Sequence, residues 1–151
     1  MPDWDQAYAS GVHDGWGETE SCPRFALIGG FCTQAGATNI LDVGCGTGLL
    51  RASLCLYSSR YTGLDCSSVV IQCLQDKGDG DFICANAEQW IPPRHCDAVI
   101  LNEVLNYFKN PRSALSKYYA ALCPGGIFIV SIFKRRTSFW QPNLIDVPSR
   151  L

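Results

Sequence analysis

The stretch "ILDVGCGTGLL" (residues 40–50) sets an acid and three glycines at alternate positions, Asp42, Gly44, Gly46 and Gly48, between two apolar runs. Glycine lets a backbone turn tightly and lets a ligand approach without meeting a side chain. Where such a bend follows a strand and opens a helix, the helix's free amides point at the same place. The bend can therefore hold carboxylate, ribose or phosphate oxygens. Two phosphate-binding patterns are absent. A dinucleotide turn, G-x-G-x-x-G counted from Gly44, needs its third glycine where Leu49 stands, and no Gly-Lys-Ser/Thr loop exists. The nine cysteines do not suggest a metal set, because no two have the short spacing of a zinc knuckle. Cys45, Cys55, Cys66, Cys73, Cys84 and Cys123 sit in or beside apolar segments, where a reduced thiol behaves as a small hydrophobe.

The elements that must position the bend alternate along the chain. After an irregular N-terminal stretch, "SCPRFALIGGFC" predicts a helix with Ser21 as its cap, Pro23 in the first turn, and Phe25, Leu27, Ile28 and Phe31 on its apolar face. "NILDV" predicts a strand, and the glycines open a helix carrying Leu49, Leu50, Leu54 and Leu56. "YTGLD" (61–65) is the next strand; Ser67 or Ser68 caps the helix "VVIQCLQDK", which ends at Gly78. "DFICA" (81–85) and "CDAVILN" (96–102) are further strands. Asn110 and Pro111 start a helix that turns Ala114, Leu115, Tyr118 and Leu122 inward until "CPGG" ends it, and "IFIVSIF" (127–133) is the fifth strand. Five strands alternating with helices imply an α/β fold, a parallel sheet with right-handed crossovers and helices on both faces.

In such a sheet ligands sit beyond the carboxyl ends of the strands. The acid-x-G-x-G-x-G arrangement resembles that of class I S-adenosylmethionine-dependent methyltransferases, and the likeness runs in order over roughly residues 38 to 133. It implies a Rossmann-like three-layer sandwich with a mostly parallel sheet of order 3-2-1-4-5. Asp65, at the end of the second strand, matches the acid that holds both ribose hydroxyls; an ionised carboxylate can accept both. In "ICANAEQW" the resemblance assigns Asn86 to the adenine amino group and the Ala87 amide to a ring nitrogen. "CDAVILNEVLNYF" resembles the segment in which Leu101, Asn102 and Glu103 line the methionine half, and "PGGIFIVS" is similar to the fifth-strand motif. The implied cofactor site comprises Asp42, Gly44, Cys45, Gly46, Asp65, Cys66, Asn86, Ala87, Leu101, Asn102 and Glu103. Its cofactor would be S-adenosylmethionine, with S-adenosylhomocysteine as product. "NEVLNYF" is similar to small-molecule enzymes of bacterial type, which implies methyl transfer to a small acceptor with an N or O nucleophile.

That reaction needs a general base only if the nucleophile keeps its proton. His13, His95, Glu103 and Tyr107 are candidates, none singled out. His95 precedes the fourth strand and reads as a surface residue. Glu103 reads as positional, an acid suited to the start of a short helical turn. Trp4, Tyr8, His13 and Trp16 populate a segment that commonly folds over the cofactor in this family, and Tyr8, Trp16 or Arg24 is expected to touch cofactor or acceptor. Packing of these aromatics as a lid onto the core is the other reading.

The chain is expected to be one domain: residues 1–37 a lid and first helix, 38–133 the core, 134–151 a short tail. A hydrophobic content of 47% supports one real core. With 14 acidic against 12 basic residues, and only Lys134, Arg135 and Arg136 clustered, no nucleic-acid footprint is expected. No apolar run is long enough to span a bilayer and the N-terminus is unlike a signal peptide, so the expected setting is cytoplasmic. The tail holds Pro142 and Pro148, and the family's last two strands are expected to be missing. An uncovered fifth strand favours a homodimer through that side of the sheet. It also gives an alternative to catalysis: a shortened domain that binds S-adenosylmethionine or a protein partner without transfer. A nicotinamide oxidoreductase on a similar fold is disfavoured by Leu49.

Overall fold

The computed structural model describes residues 3–11, 18–54, 60–78, 80–92 and 95–132. Five strands, β1 (Asn39–Val43), β2 (Arg60–Asp65), β3 (Asp81–Cys84), β4 (Cys96–Asn102) and β5 (Leu122–Ser131), form one sheet of order β3-β2-β1-β4-β5. Every neighbouring pair is parallel, as the alternating pattern and the family resemblance imply. β1 and β4 lie inside the sheet and are covered on both faces, which explains their nearly unbroken apolar sequences. Alternation then divides the core. Ile40, Ala98 and Ile100 pack with Phe25, Ile28 and Cys32 of α2 (Glu18–Gln34), Leu50 of α3 (Leu49–Ser53), and Ile71 and Leu74 of α4 (Ser68–Lys77). Leu41, Val43, Val99 and Leu101 face the other way, against Ala114 and Tyr118 of α5 (Pro111–Tyr119) and Leu105 of a short 3-10 turn, Leu105–Tyr107. Each fully buried leucine or isoleucine contributes roughly 1.5–3 kcal/mol.

The caps of α4 and α5 fall where the sequence puts them, whereas Ser21, expected to cap the first long helix, lies inside it because α2 starts at Glu18. The Ser67 side chain accepts from the Val70 amide, Gly78 closes α4 in the left-handed region, and Asn110 accepts from the Ser113 amide with Pro111 leading α5.

Several details differ. The N-terminal stretch contains a helix, α1 (Trp4–Ala9), whose Asp3 side chain accepts from the Gln6 amide. The next helix starts before Pro23, which lies inside it. Its buried stripe is Phe25, Ile28 and Cys32, at helical spacing; Leu27 and Phe31 lie off that stripe and are exposed. α3 stops at Ser53 with Leu54 as its cap, and Leu56 lies outside the described residues. β5 begins at Leu122 rather than Ile127, so "CPGG" belongs to the strand and Leu122 is not helical. The pairing jumps from Cys96↔Leu122 to Ala98↔Ile127 across that irregularity, and an edge strand tolerates Pro124 there. Cys73 and Cys84 are exposed rather than packed as hydrophobes.

At the amino end of the sheet Asp97 fixes β4 to β1. Its Oδ2 accepts from the Thr38 amide, the Thr38 hydroxyl and the Asn39 amide at 2.9, 2.7 and 3.0 Å.

Candidate functional site

A cavity opens at the carboxyl ends of β1, β2 and β4, and the glycine bend forms part of its wall. The Gly44 and Cys45 amides both donate to the Leu64 carbonyl, at 2.7 and 3.0 Å, folding the bend back over β2. Gly44 has φ +75°, and a Cβ there would stand 2.4 Å from a Val104 methyl, so no larger residue fits. The helix after the bend differs from expectation: α3 has five residues, and no side chain caps it. Amides of the bend itself, more than a helix end, shape the wall.

Asp65 ends β2 and is buried at 8% exposure. Its Oδ2 accepts from the Gly46 amide and its Oδ1 from the Ser67 amide, both at 3.0 Å. Each oxygen keeps acceptor capacity for a further donor. Asp42, 1% exposed, takes the Tyr61 hydroxyl on Oδ2 at 2.5 Å, while its Oδ1 is buried with no hydrogen-bond partner. Burial pushes the Asp42 carboxyl up to about 7; the Tyr61 bond opposes this and the Asp65 charge adds to it. Burial and the Asp42 charge also push Tyr61 well above its ordinary value.

The turn after β3 supplies Asn86 and Ala87 to the wall. Asn86 Oδ1 accepts from the Glu88 amide at 2.9 Å, and the Asn86 carbonyl accepts from the Gln89 and Trp90 amides. At the end of β4, Asn102 Oδ1 accepts from the Ser131 hydroxyl at 2.7 Å. Glu103 follows with φ +57°, a conformation that costs about 1–3 kcal/mol and must be held by its surroundings. Its amide donates to the Ser131 carbonyl and hydroxyl, and its Oε1 lies 2.9 Å from an Arg24 guanidinium nitrogen. Glu103 is thus positioned by an ion pair from α2, where the sequence suggested a helix dipole.

Ten of the eleven site residues expected from the sequence line this cavity. Leu101 does not. Its side chain is 0% exposed and packs in the core on the α5 face, because strand alternation turns it away from its neighbour Asn102. His95, exposed and at the amino end of β4, is remote from the cavity. His13 and Trp16 lie outside the described residues.

Trp4, Tyr8, Tyr107 and Phe108 also line the cavity. The rings of Trp4 and Tyr107 meet edge to face at 4.8 Å, and Trp4 and Tyr8 lie 6.3 Å apart. Asp5 clasps α1 to the start of α4, accepting from the Ser67 hydroxyl (2.6 Å), the Ser68 hydroxyl (2.9 Å) and the Val69 amide (3.3 Å). Those bonds, the Ser67 hydroxyl first, hold Asp5 below its ordinary value. Burial, then the Asp65 charge, pushes the Cys66 thiol up to about 11, and burial raises Cys45 further. Neither is a nucleophile at neutral pH. Among the described residues no cluster of His, Cys, Asp and Glu could hold a metal ion, and no helix is long and apolar enough to cross a membrane.

Sequence reading missed Tyr61 as the partner of Asp42. The signal lies in the parallel register, Asp42 beside Gly63 and Ile40 beside Tyr61, which no local pattern contains.

A family model described as a methyltransferase domain matches residues 41–130. The malonyl-[acyl-carrier protein] O-methyltransferase of Priestia megaterium is 32% identical over 103 residues, 65% of this chain and 38% of that protein. A ubiquinone biosynthesis O-methyltransferase of Bradyrhizobium sp. is 31% identical over 120 residues, 76% of this chain and 47% of the relative. The chain thus spans less than half the length of either. Among solved structures, the plantazolicin methyltransferase BpumL in complex with SAH superposes with a TM-score of 0.66 at 23% identity, over 80% of this chain and 50% of that one. That likeness speaks for the fold. With the glycine bend and the cavity's acids Asp42, Asp65 and Glu103 inside the matched segment, the chain belongs to the methyltransferase domain family.

Proposed function

We propose that the chain binds S-adenosylmethionine in this cavity and transfers its methyl group to a small-molecule acceptor. The observation that carries the reading is Asp65, a buried carboxylate at the end of β2 with both oxygens oriented by backbone amides and both still able to accept. That is a ready receptor for a ribose diol.

The rest of the cavity fits the same guest. Asn86 and the Ala87 amide offer a polar edge to a base beside Asp65. The buried Oδ1 of Asp42 lacks a donor, and an amino acid's ammonium group could supply one. At Gly44 and Gly46 a Cβ would crowd Val104 and the Tyr8 hydroxyl, so glycine lets the bend lie close against the other walls of the cavity.

Held here, S-adenosylmethionine would supply a methyl carbon activated by positive sulfur and open to in-line attack by an acceptor N or O lone pair, with the carbon–sulfur bonding pair going to the sulfur of the departing S-adenosylhomocysteine. The chain's task is to orient and to exclude water. Asp65, Asn86 and the Glu103–Arg24 pair orient. Trp4, Tyr8, Tyr107 and Phe108 close the mouth, with Asp5 holding α1 as a lid. No side chain is assigned as general base. A small acceptor accords with the two O-methyltransferase relatives, whose names indicate an acyl-carrier-bound malonyl group and a step of ubiquinone biosynthesis. Exposed Phe31, Val130 and Ile132 lie by β5, the edge strand among the described residues, and favour pairing of two copies there; sedimentation at two concentrations tests that.

The test of function is incubation with methyl-labelled S-adenosylmethionine and panels of small carboxylates, phenols and amines. Release of S-adenosylhomocysteine with label on one acceptor class is expected. Tight binding without transfer to any class would favour a binding domain; no binding would overturn the reading.

A further inference from the structure

Beneath the turn that presents Asn86 and Ala87 lies a lysine that sequence reading did not single out. Lys117 reaches from α5 and donates all three of its N–H groups to backbone carbonyls of one turn: Ala87, Glu88 at 3.1 Å and Trp90 at 3.0 Å. The neighbouring Tyr118 hydroxyl donates to the Ala87 carbonyl at 2.8 Å. From above, the turn is closed by the Gln89 and Trp90 amides on the Asn86 carbonyl and by the Glu88 amide on Asn86 Oδ1. Glu88 is itself tied down, its carboxylate accepting from the Lys109 amide at 2.6 Å. The peptide groups on both sides of Ala87 are therefore fixed. Converging carbonyls repel one another, and a cation at their focus removes that repulsion, as at a helix C-terminus.

Resting on the cofactor reading above, we propose that Lys117, assisted by Tyr118, is the positioning residue for adenine recognition. It touches no ligand. It fixes the Ala87–Glu88 peptide through the Ala87 carbonyl, on the far side of Ala87 from the Asn86–Ala87 peptide that the Gln89 and Trp90 amides hold, and so it steadies the backbone from which the Ala87 amide and the Asn86 side chain meet a base edge. The lysine is half-buried, with its ammonium 4.7 Å from the centroid of the Tyr118 ring, so its place is held by packing as well as by the carbonyls. Loosening it should cost base discrimination more than it costs general affinity.

The experiment is calorimetric titration of the full chain and of Lys117→Met with S-adenosylhomocysteine and with its inosine counterpart, in which the ring's amino group is replaced by oxygen. Thermal unfolding is recorded alongside. Lys117→Met should bind S-adenosylhomocysteine about tenfold more weakly, the size of one charge-assisted hydrogen bond, and should lose most of the preference for adenine over the 6-oxo ring. Tyr118→Phe keeps the buried ring and removes one donor to the Ala87 carbonyl. It should move the preference in the same direction by less, and it serves if Lys117→Met does not fold. An unchanged preference in the folded variants, whether or not stability falls, would overturn the proposal while leaving the cofactor reading standing. Absence of binding by the unaltered chain would overturn both.

Discussion

Two ends of the same sheet use aspartate in opposite ways. At the amino end, Asp97 spends Oδ2 on three donors from the start of β1, and these bonds, the Thr38 hydroxyl first, hold its carboxyl below the ordinary range. At the carboxyl end, Asp42 keeps one oxygen without a partner in a buried setting that raises it to about 7, and Asp65 has two oxygens steadied but unsaturated. Fold stability favours the first arrangement, since an unsatisfied buried oxygen costs about 1–3 kcal/mol. The second arrangement is tolerable where a ligand completes it. Satisfaction by the chain itself marks structure, and want of a donor marks the site.

The contrast can be broken most forcefully at Asp65. Asp65→Ala should weaken S-adenosylhomocysteine binding by about 100-fold or more, the equivalent of roughly 3 kcal/mol, because two charge-assisted bonds to a ribose are lost together. At the other end, Asp97→Ala should cost about 1–2 kcal/mol of stability in urea unfolding, discounted for partial exposure, and leave binding unaltered.

pH separates the two acids by sign. Asp42 is raised above its ordinary 3.8, so its contribution to stability is full below about pH 4 and is lost as pH rises to about 7. Asp97 is lowered, so its contribution is present above pH 3.8 and disappears as pH falls below it. Urea titrations from pH 2 to 8 should show Asp42→Asn flattening the decline between about pH 4 and 7 while Asp97→Asn flattens the loss below pH 3.8. The smallest effect is expected at the lid: Asp5→Asn weakens the clasp on Ser67 and Ser68 and should lower cofactor affinity a few-fold with little change in global unfolding.

How much of this was written in the sequence depends on the distance over which a signal acts. The bend, the caps at Ser67 and Asn110 and the strand "CDAVILN" rest on neighbours a few residues apart, and they were legible. The place of Asp65 and Asn86 in the cavity wall was legible too, because their order along the chain matches a family pattern. α1 escaped because one turn of helix capped by Asp3 is stabilised chiefly by docking onto α4, through Asp5 and serines about sixty positions away. Leu101 was misplaced for a simpler reason: a motif names consecutive residues, whereas a strand turns every second one to the other face. The early start of β5 followed "PGG", which usually ends elements but here lies in an edge strand that can absorb an irregularity. Tyr61 and Lys117 act across the sheet and across a crossover, where no local spacing points to them.

The central claim, that the carboxyl-end acids serve a ligand and the amino-end acid serves the fold, is tested most directly by titrating S-adenosylhomocysteine into Asp65→Ala and Asp97→Ala side by side. The account predicts that the first loses about 100-fold in affinity and the second keeps the affinity of the unaltered chain. Equal losses in both folded variants, or a loss confined to Asp97→Ala, would contradict it.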